Sequence, residues 1–474
     1  MVAQFLQMMT SYVEVINHYN KKGGISVLNK TAIQGNAFYS QNFNEIKFVK
    51  NGIFSIDEKG YIDHVYEEGD EEYEAARSGF LGNGKLRVLS DSEVMLPGFV
   101  DLHVHAPQWP QSGTALDRPL EEWLGEYTFP LEAKHKDLEF ANEVYRDVIN
   151  TTLKHGTTTV LYFASVDRKS STLLARLCGE IGQRGLVGKV VMDDPDGNPE
   201  FYRDASAKES IIETEKFINE VLEFKDTYKQ KVYPVVTPRF IPSCTAESLE
   251  GLAELAKKYD VHIQTHCSES DWAHGFVKEK YGINDAQALD KFGLITRKTI
   301  MAHAPFLDDE DQKILAEKKA SIAHSPLSNA YFANSVLPVK DFIGKGVSIG
   351  LATDISGGYS PSMYQAIRQA VISSRMLQDG VDPSLQSSER GREGSAITLN
   401  NALYTATVAG GIALDLPIGK LEKGYAFDVQ IVDMKNGIPR FYPEKKEEDI
   451  LHKILLLSES SNVKEVWVQG NRVK

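Results

Sequence analysis

From Pro97 onward the sequence repeats one arrangement eight times: a short apolar run, a polar loop, then a stretch with helical apolar spacing. The apolar runs lie at 98–104, 157–163, 187–192, 232–237, 261–266, 299–303, 321–324 and 347–353. Segments between them, such as 246–259 and 308–318, set apolar residues three and four apart with charges on the other face. Short apolar runs alternating with amphipathic helices predict parallel strands in an α/β fold. Eight such units predict a closed (β/α)8 TIM-type barrel.

Outside the barrel the texture changes. Segments 45–49 and 61–65 read as short strands between turns bearing Gly and Asp, and 67–74 reads as a solvated acidic stretch. Near the other end, 425–432 and 463–468 alternate as strands do, beside Gly424 and Gly470. Strands at both ends predict one small β-sandwich domain assembled from both termini. The expected division is 1–95 and 416–474 for that domain and 96–415 for the barrel.

Composition narrows the function classes. Lys plus Arg number 52 against 66 Asp plus Glu, a net charge of −14. An acidic chain argues against non-specific binding to nucleic acid or to an anionic membrane. The three cysteines, Cys178, Cys244 and Cys267, form no CxxC pair, so neither a disulfide scaffold nor a thiolate zinc site is expected. Residues 1–24 lack the basic start of a secretory signal, and no run reaches the 18 or so apolar residues that a membrane span needs. A cytoplasmic globular protein with a small-molecule substrate is the expectation.

In a parallel barrel the chemistry sits at the C-terminal ends of the strands. The first strand ends in His103-Val104-His105, and residues two apart on a strand face the same side, so both rings can reach one ion. Two surface histidines would give the same three letters. The fifth strand ends in His266, with Glu269 three residues on. A ligand His beside a carboxylate that stays off the metal suits general acid–base work, although a Glu there is also an ordinary helix cap. The sixth ends in His303, equally readable as a hydrogen-bonded core residue, and the eighth reaches Asp354 on its small, inward side.

A carboxylate buried there alone costs several kcal/mol, roughly, and a nearby cation resolves it. Three His and one Asp suit Zn²⁺ with one open position. The fourth strand ends Thr237-Pro238-Arg239-Phe240 and carries no Lys to bridge a second metal; Lys231 falls at its opposite end, so one metal is expected. Arg239 offers fixed donors for a carbonyl oxygen and Phe240 a ring face; a surface ion pair and plain core packing are the alternatives. Cys267 points away from the side of His266 by strand alternation. His324 is expected at the pocket rim or closing a turn, and His274 on a solvated helix face.

The motifs PGFVDLHVH, THCSE, MAHAP and ATD, in that order, resemble the amidohydrolase superfamily over about residues 95–470. Within it, the segments at 105–132, 237–244, 265–270, 353–358 and 412–433 are similar to the guanine deaminase family. The resemblance implies hydrolytic removal of the exocyclic amine of guanine at C2, giving xanthine and ammonia, by a homodimeric zinc enzyme of purine metabolism. By position it implies one zinc on His103, His105, His266 and Asp354. It makes Gln108, Arg239 and Phe240 substrate-binding, with His266, Glu269 and Asp354 also against the substrate. Glu269 becomes the proton shuttle, and His303 and Asp354 complete the catalytic set.

Overall fold

The computed structural model describes residues 30–439 and 446–474. The expectation about a leader in residues 1–24 lies outside them. Eight parallel strands run in strict chain order around the centre: β6 (Phe99–His105), β7 (Thr157–Phe163), β8 (Arg184–Val191), β9 (Val232–Pro238), β10 (His262–Cys267), β11 (Thr299–His303), β12 (Ser321–His324) and β13 (Ser348–Leu351). The ring joins just beyond β13, where Asp354 N donates to His103 O at 2.9 Å and His105 N donates to Ile355 O at 2.7 Å. The expected barrel is therefore present, and three of its strands match their expected bounds residue for residue.

The strands are buried on both faces because both are covered, which makes them largely apolar. Val100, Leu102, Leu161, Leu186, Val235, Ile300, Ala323 and Ala352 fill the lower interior. A second core joins the outer faces to the surrounding helices, and Cys267 lies in it, as alternation requires. All three cysteines are buried and free. Gly188 marks where the interior is tightest: a Cβ there would sit 1.8 Å from Thr237 Oγ1. Helix starts are fixed by side-chain caps, for example Asp137, which accepts from Glu139 N and Phe140 N ahead of the helix Leu138–Lys154.

Strands from both termini form a second, mixed sheet. It contains β1 (Thr31–Ser40), β2 (Ile46–Ile56), β3 (Ile62–Tyr66), β4 (Leu86–Val88), β5 (Glu93–Pro97), β14 (Val429–Asp433), β15 (Val463–Val468) and β16 (Asn471–Arg472). Its order is β16-β15-β14-β5-β1-β2-β3, with β4 against β1. A bridge between Tyr61 and Ala426 ties the β3 end back to the approach to β14, so the sheet encloses its own core of Ile33, Phe54, Met95, Phe427 and Ile431.

Several bounds differ from expectation for physical reasons. The acidic stretch at 67–74 runs into a helix, Tyr73–Gly82, whose Tyr73, Ala76 and Phe80 are buried. β8 starts three residues early because Arg184, a charge, is hidden at the barrel floor. It pairs there with Asp428 and donates to Gln469 Oε1 at 2.6 Å, both supplied by the small sheet. Strand β14 starts late because Asp428 turns in to meet that guanidinium.

Candidate active site

Four strand ends deliver side chains to the same spot at the barrel mouth: His103 and His105 from β6, His266 and Glu269 at and just past β10, His303 from β11, and Asp354 just past β13. His105 Nε2 and His266 Nε2 lie 3.0 Å apart, and His103 Nε2 lies 3.1 Å from Asp354 Oδ1. His105 Nε2 is 3.7 Å from the same oxygen. His303 Nε2 is 3.6 Å from Glu269 Oε1 and 3.8 Å from Asp354 Oδ2. The structure thus gathers all six residues (His103, His105, His266, His303, Glu269 and Asp354) within ligand distance of one another, in overlapping sets of three.

The backbone is bent to achieve this. His303 has φ 74° and Asp354 φ 53°, the left-handed region that costs a non-glycine residue roughly 1–2 kcal/mol. Such outliers persist where the surroundings over-determine them. Here Asp101 does much of that. Its carboxylate accepts from Thr353 N at 3.0 Å, from Thr353 Oγ1 at 2.5 Å and from His103 N at 3.3 Å. It stitches the first strand end to the last. Burial pushes the Asp101 carboxyl up to about 7, and the bonds from Thr353 and His103 pull it back. Asp101→Ala is expected to weaken metal binding about 10–100-fold, as losses in the shell that orients ligands do; competitive zinc titration reads this.

Ring orientation follows from fixed acceptors. A carbonyl oxygen only accepts, so the 2.6 Å contact to Arg239 O makes His266 Nδ1 a donor and leaves its Nε2 lone pair free. His303 Nδ1 is held likewise by Asn329 Oδ1 at 3.0 Å. Burial and the neighbouring positive groups hold His103, His105 and His266 well below the usual imidazole range. A neutral His103 makes no ion pair with Asp354, and its buried Nε2 has no hydrogen-bond partner, nor has that of His303. Orphaned ring nitrogens facing a buried carboxylate cost free energy as they stand. A cation satisfies them together, so the donor set fits a metal ion of the kind that takes nitrogen and oxygen ligands.

The cluster floors a pocket that encloses about 330 Å³ of space, its solvent mouth included. Gln108, Arg239, Phe240, His266, Glu269 and Asp354 line it, together with Leu120, Trp123, Leu124 and Phe332. Every expected substrate-binding residue is therefore on its wall. Phe240 stands between His266 and Trp272, with ring centroids 6.1 and 5.9 Å away. Burial pushes the Glu269 carboxyl up to about 8, helped by the Asp354 charge and opposed by Arg239. A carboxyl in that range both takes and gives a proton near neutrality.

Arg239 is neither free nor in a surface pair. Its Nη1 donates to Glu132 Oε2 at 2.7 Å and its Nη2 to Oε1 at 3.2 Å, in a pair that is at least 97% buried on both sides. Gln108 Nε2 donates to the same carboxylate at 2.8 Å. Glu132 was overlooked in the sequence because its partners lie 107 and 24 residues away. The one available signal was an acidic residue closing the apolar segment 128–132. His274, expected in solvent, is half-buried and bonded to Ser268 Oγ at 3.0 Å. His324 is buried beside His303 instead of lying on the rim, and burial pushes it down to about 3.

Residues 94–473 match the Amidohydrolase family. The chain belongs to that family. Among amidohydrolase relatives, the guanine deaminase of Homo sapiens is 38% identical over 439 residues, covering 90% of this chain and 93% of that protein. The guanine deaminase of Dictyostelium discoideum is 34% identical over 456 residues, 93% of this chain and 97% of that protein. The crystal structure of guanine deaminase from C. acetobutylicum, with bound guanine in the active site, superposes with a TM-score of 0.83 at 28% identity. That superposition covers 94% of this chain and all of that one. Among the described residues, no helix of this amidohydrolase is long and apolar enough to cross a membrane.

Proposed function

We propose that this chain is a zinc-dependent guanine deaminase, converting guanine and water to xanthine and ammonia. The observation that carries the reading is the two-sided pocket. A metal-competent His/Asp cluster with a proton-carrying carboxyl lies on one side, and a fixed Arg239–Gln108 pair on the other. Relatives that match over 90% and 93% of this chain bear that activity in their names.

In this reading His103, His105, His266 and Asp354 would hold one zinc. Bound there, zinc supplies Lewis acidity and lowers the pKa of water to about 7. Glu269 takes a proton from the water that adds to C2 and delivers it to the adjoining ring nitrogen. Asp354 handles the second proton, which leaves with ammonia. His303, fixed through Nδ1, aims Nε2 between Glu269 and Asp354 and steadies both. Gln108 and Arg239 hold the oxo-bearing edge, and Phe240 packs on the ring. We assign the barrel to 96–415 and the small β domain to 1–95 and 416–474, and place the enzyme in the cytoplasm as a homodimer, as its resemblance suggests.

A substrate panel of guanine, cytosine, a 2-aminopterin and an amino-triazine tests the assignment on zinc-loaded protein. Guanine is expected to exceed each of the others by at least about tenfold in kcat/KM, because a ring of another shape leaves buried polar groups of the wall unpaired. Preference for another ring would keep the amidohydrolase site and overturn the substrate.

A further inference from the structure

Glu132 is a charge with no direct task. It is 1% exposed, stands behind the pocket wall and belongs to none of the metal-competent groups. Yet both residues that face the ring edge hang on it. Its two oxygens take both terminal nitrogens of Arg239 and the amide of Gln108. The other side of Arg239 is closed as well, with its guanidinium carbon 5.0 Å from the Phe129 ring centroid. Gln108 is further tied through Ser356, whose Oγ donates to the Gln108 backbone oxygen at 2.8 Å.

Two consequences follow from the charge and shape of a carboxylate. It accepts only, so the Gln108 amide cannot flip without setting its oxygen against a negative charge. The donor and acceptor pattern of that wall is therefore fixed in one sense. It also cancels the Arg239 charge at contact distance inside a buried site, where charges are weakly screened. Without that cancellation the wall would be an anion site, since a bare guanidinium favours anionic over neutral ligands.

We infer that Glu132 is a positioning residue that sets selectivity: by clamping Arg239 and Gln108 and cancelling the guanidinium charge, it makes the pocket take a neutral oxo-bearing ring in preference to an anionic one. The inference rests on the purine reading of the pocket. It bears on turnover because the product ring, with two oxo groups, is the more acidic one. A wall tuned to neutral rings admits guanine and lets ionised xanthine go.

The test uses full-length, zinc-loaded wild type and Glu132→Gln, with hypoxanthine and xanthine as probes and calorimetric binding at mildly alkaline pH. Hypoxanthine carries the oxo group, stays largely neutral there and has no amine to lose, whereas xanthine is partly anionic. In Glu132→Gln, hypoxanthine is expected to bind more weakly and xanthine more tightly. The ratio of their affinities should move by about tenfold or more, as removing one buried charge predicts, with zinc content unchanged. Both affinities falling together would reduce Glu132 to a structural prop and overturn the inference, as would no change in either. If Glu132→Gln does not fold, Glu132→Asp keeps the charge and shortens the reach. Both rings are then expected to weaken equally; a shifted ratio, or undiminished binding, would overturn the inference. Because neither probe is turned over, failure here is distinct from failure of the proposed reaction, which the guanine panel reads on wild type alone.

Discussion

Glu269→Gln is expected to lower guanine turnover by about 10²–10⁴-fold, the usual worth of a positioned acid–base group, while zinc stays at the wild-type level. The amide fills the same space, so the pocket and the contact with His303 survive. What disappears is a carboxyl that burial holds near 8 and that exchanges a proton at working pH. Steady-state kinetics paired with metal analysis on the same sample reads both quantities. Zinc lost in step with activity would make Glu269 a ligand instead of a shuttle, an alternative with structural weight because its carboxylate lies among the metal-competent sets.

Arg239→Met is expected to destabilise the fold by about 3–5 kcal/mol, the cost of leaving one partner of a buried pair uncompensated. Glu132 would keep the Gln108 amide as a donor but lose the charge that balances it. Urea unfolding of the zinc-loaded protein, followed by fluorescence, measures this. Replacing both residues, as Arg239→Met with Glu132→Leu, should recover much of the stability, since a buried pair is often matched by apolar residues of similar volume. Activity should not return, because the ring edge has lost the Arg239 donors and the carboxylate that fixes the Gln108 amide. An unchanged unfolding midpoint in Arg239→Met would mean that the carboxylate finds water, and that the wall is wetter than its burial indicates.

What the sequence revealed and what it hid divide along physical lines. The metal cluster was legible because it is written in local periodicity. Histidines two apart at the end of β6 must share a side, and strand ends converge by the geometry of a barrel. The strands themselves were legible because burial on both faces leaves unbroken apolar runs between polar loops. Strand β1 was not among the expected strands, and its register breaks between Gly35 and Ala37. In the structure those residues form a bulge, with Gly35 packed where a Cβ would come within 2.7 Å of Leu89. Glu132 was not legible, because nothing local distinguishes a carboxylate that balances an arginine 107 residues away. The left-handed backbone at Asp354 was hidden for the same reason: Asp101, distant in sequence from the Thr353 it bonds, and the closing of the ring surround it. Arg239 shows the two levels together. Its place at a strand end was readable, and its buried partner was not.

The account stands most directly on one measurement: guanine consumption, followed by ultraviolet absorbance and ammonia release on protein of known zinc content. Xanthine and ammonia are expected in equal amounts from protein carrying about one zinc per chain, as a site of three His and one Asp with one open position implies. Activity should be lost on chelation and restored by zinc. Zinc-loaded protein that leaves guanine untouched would contradict the proposed reaction.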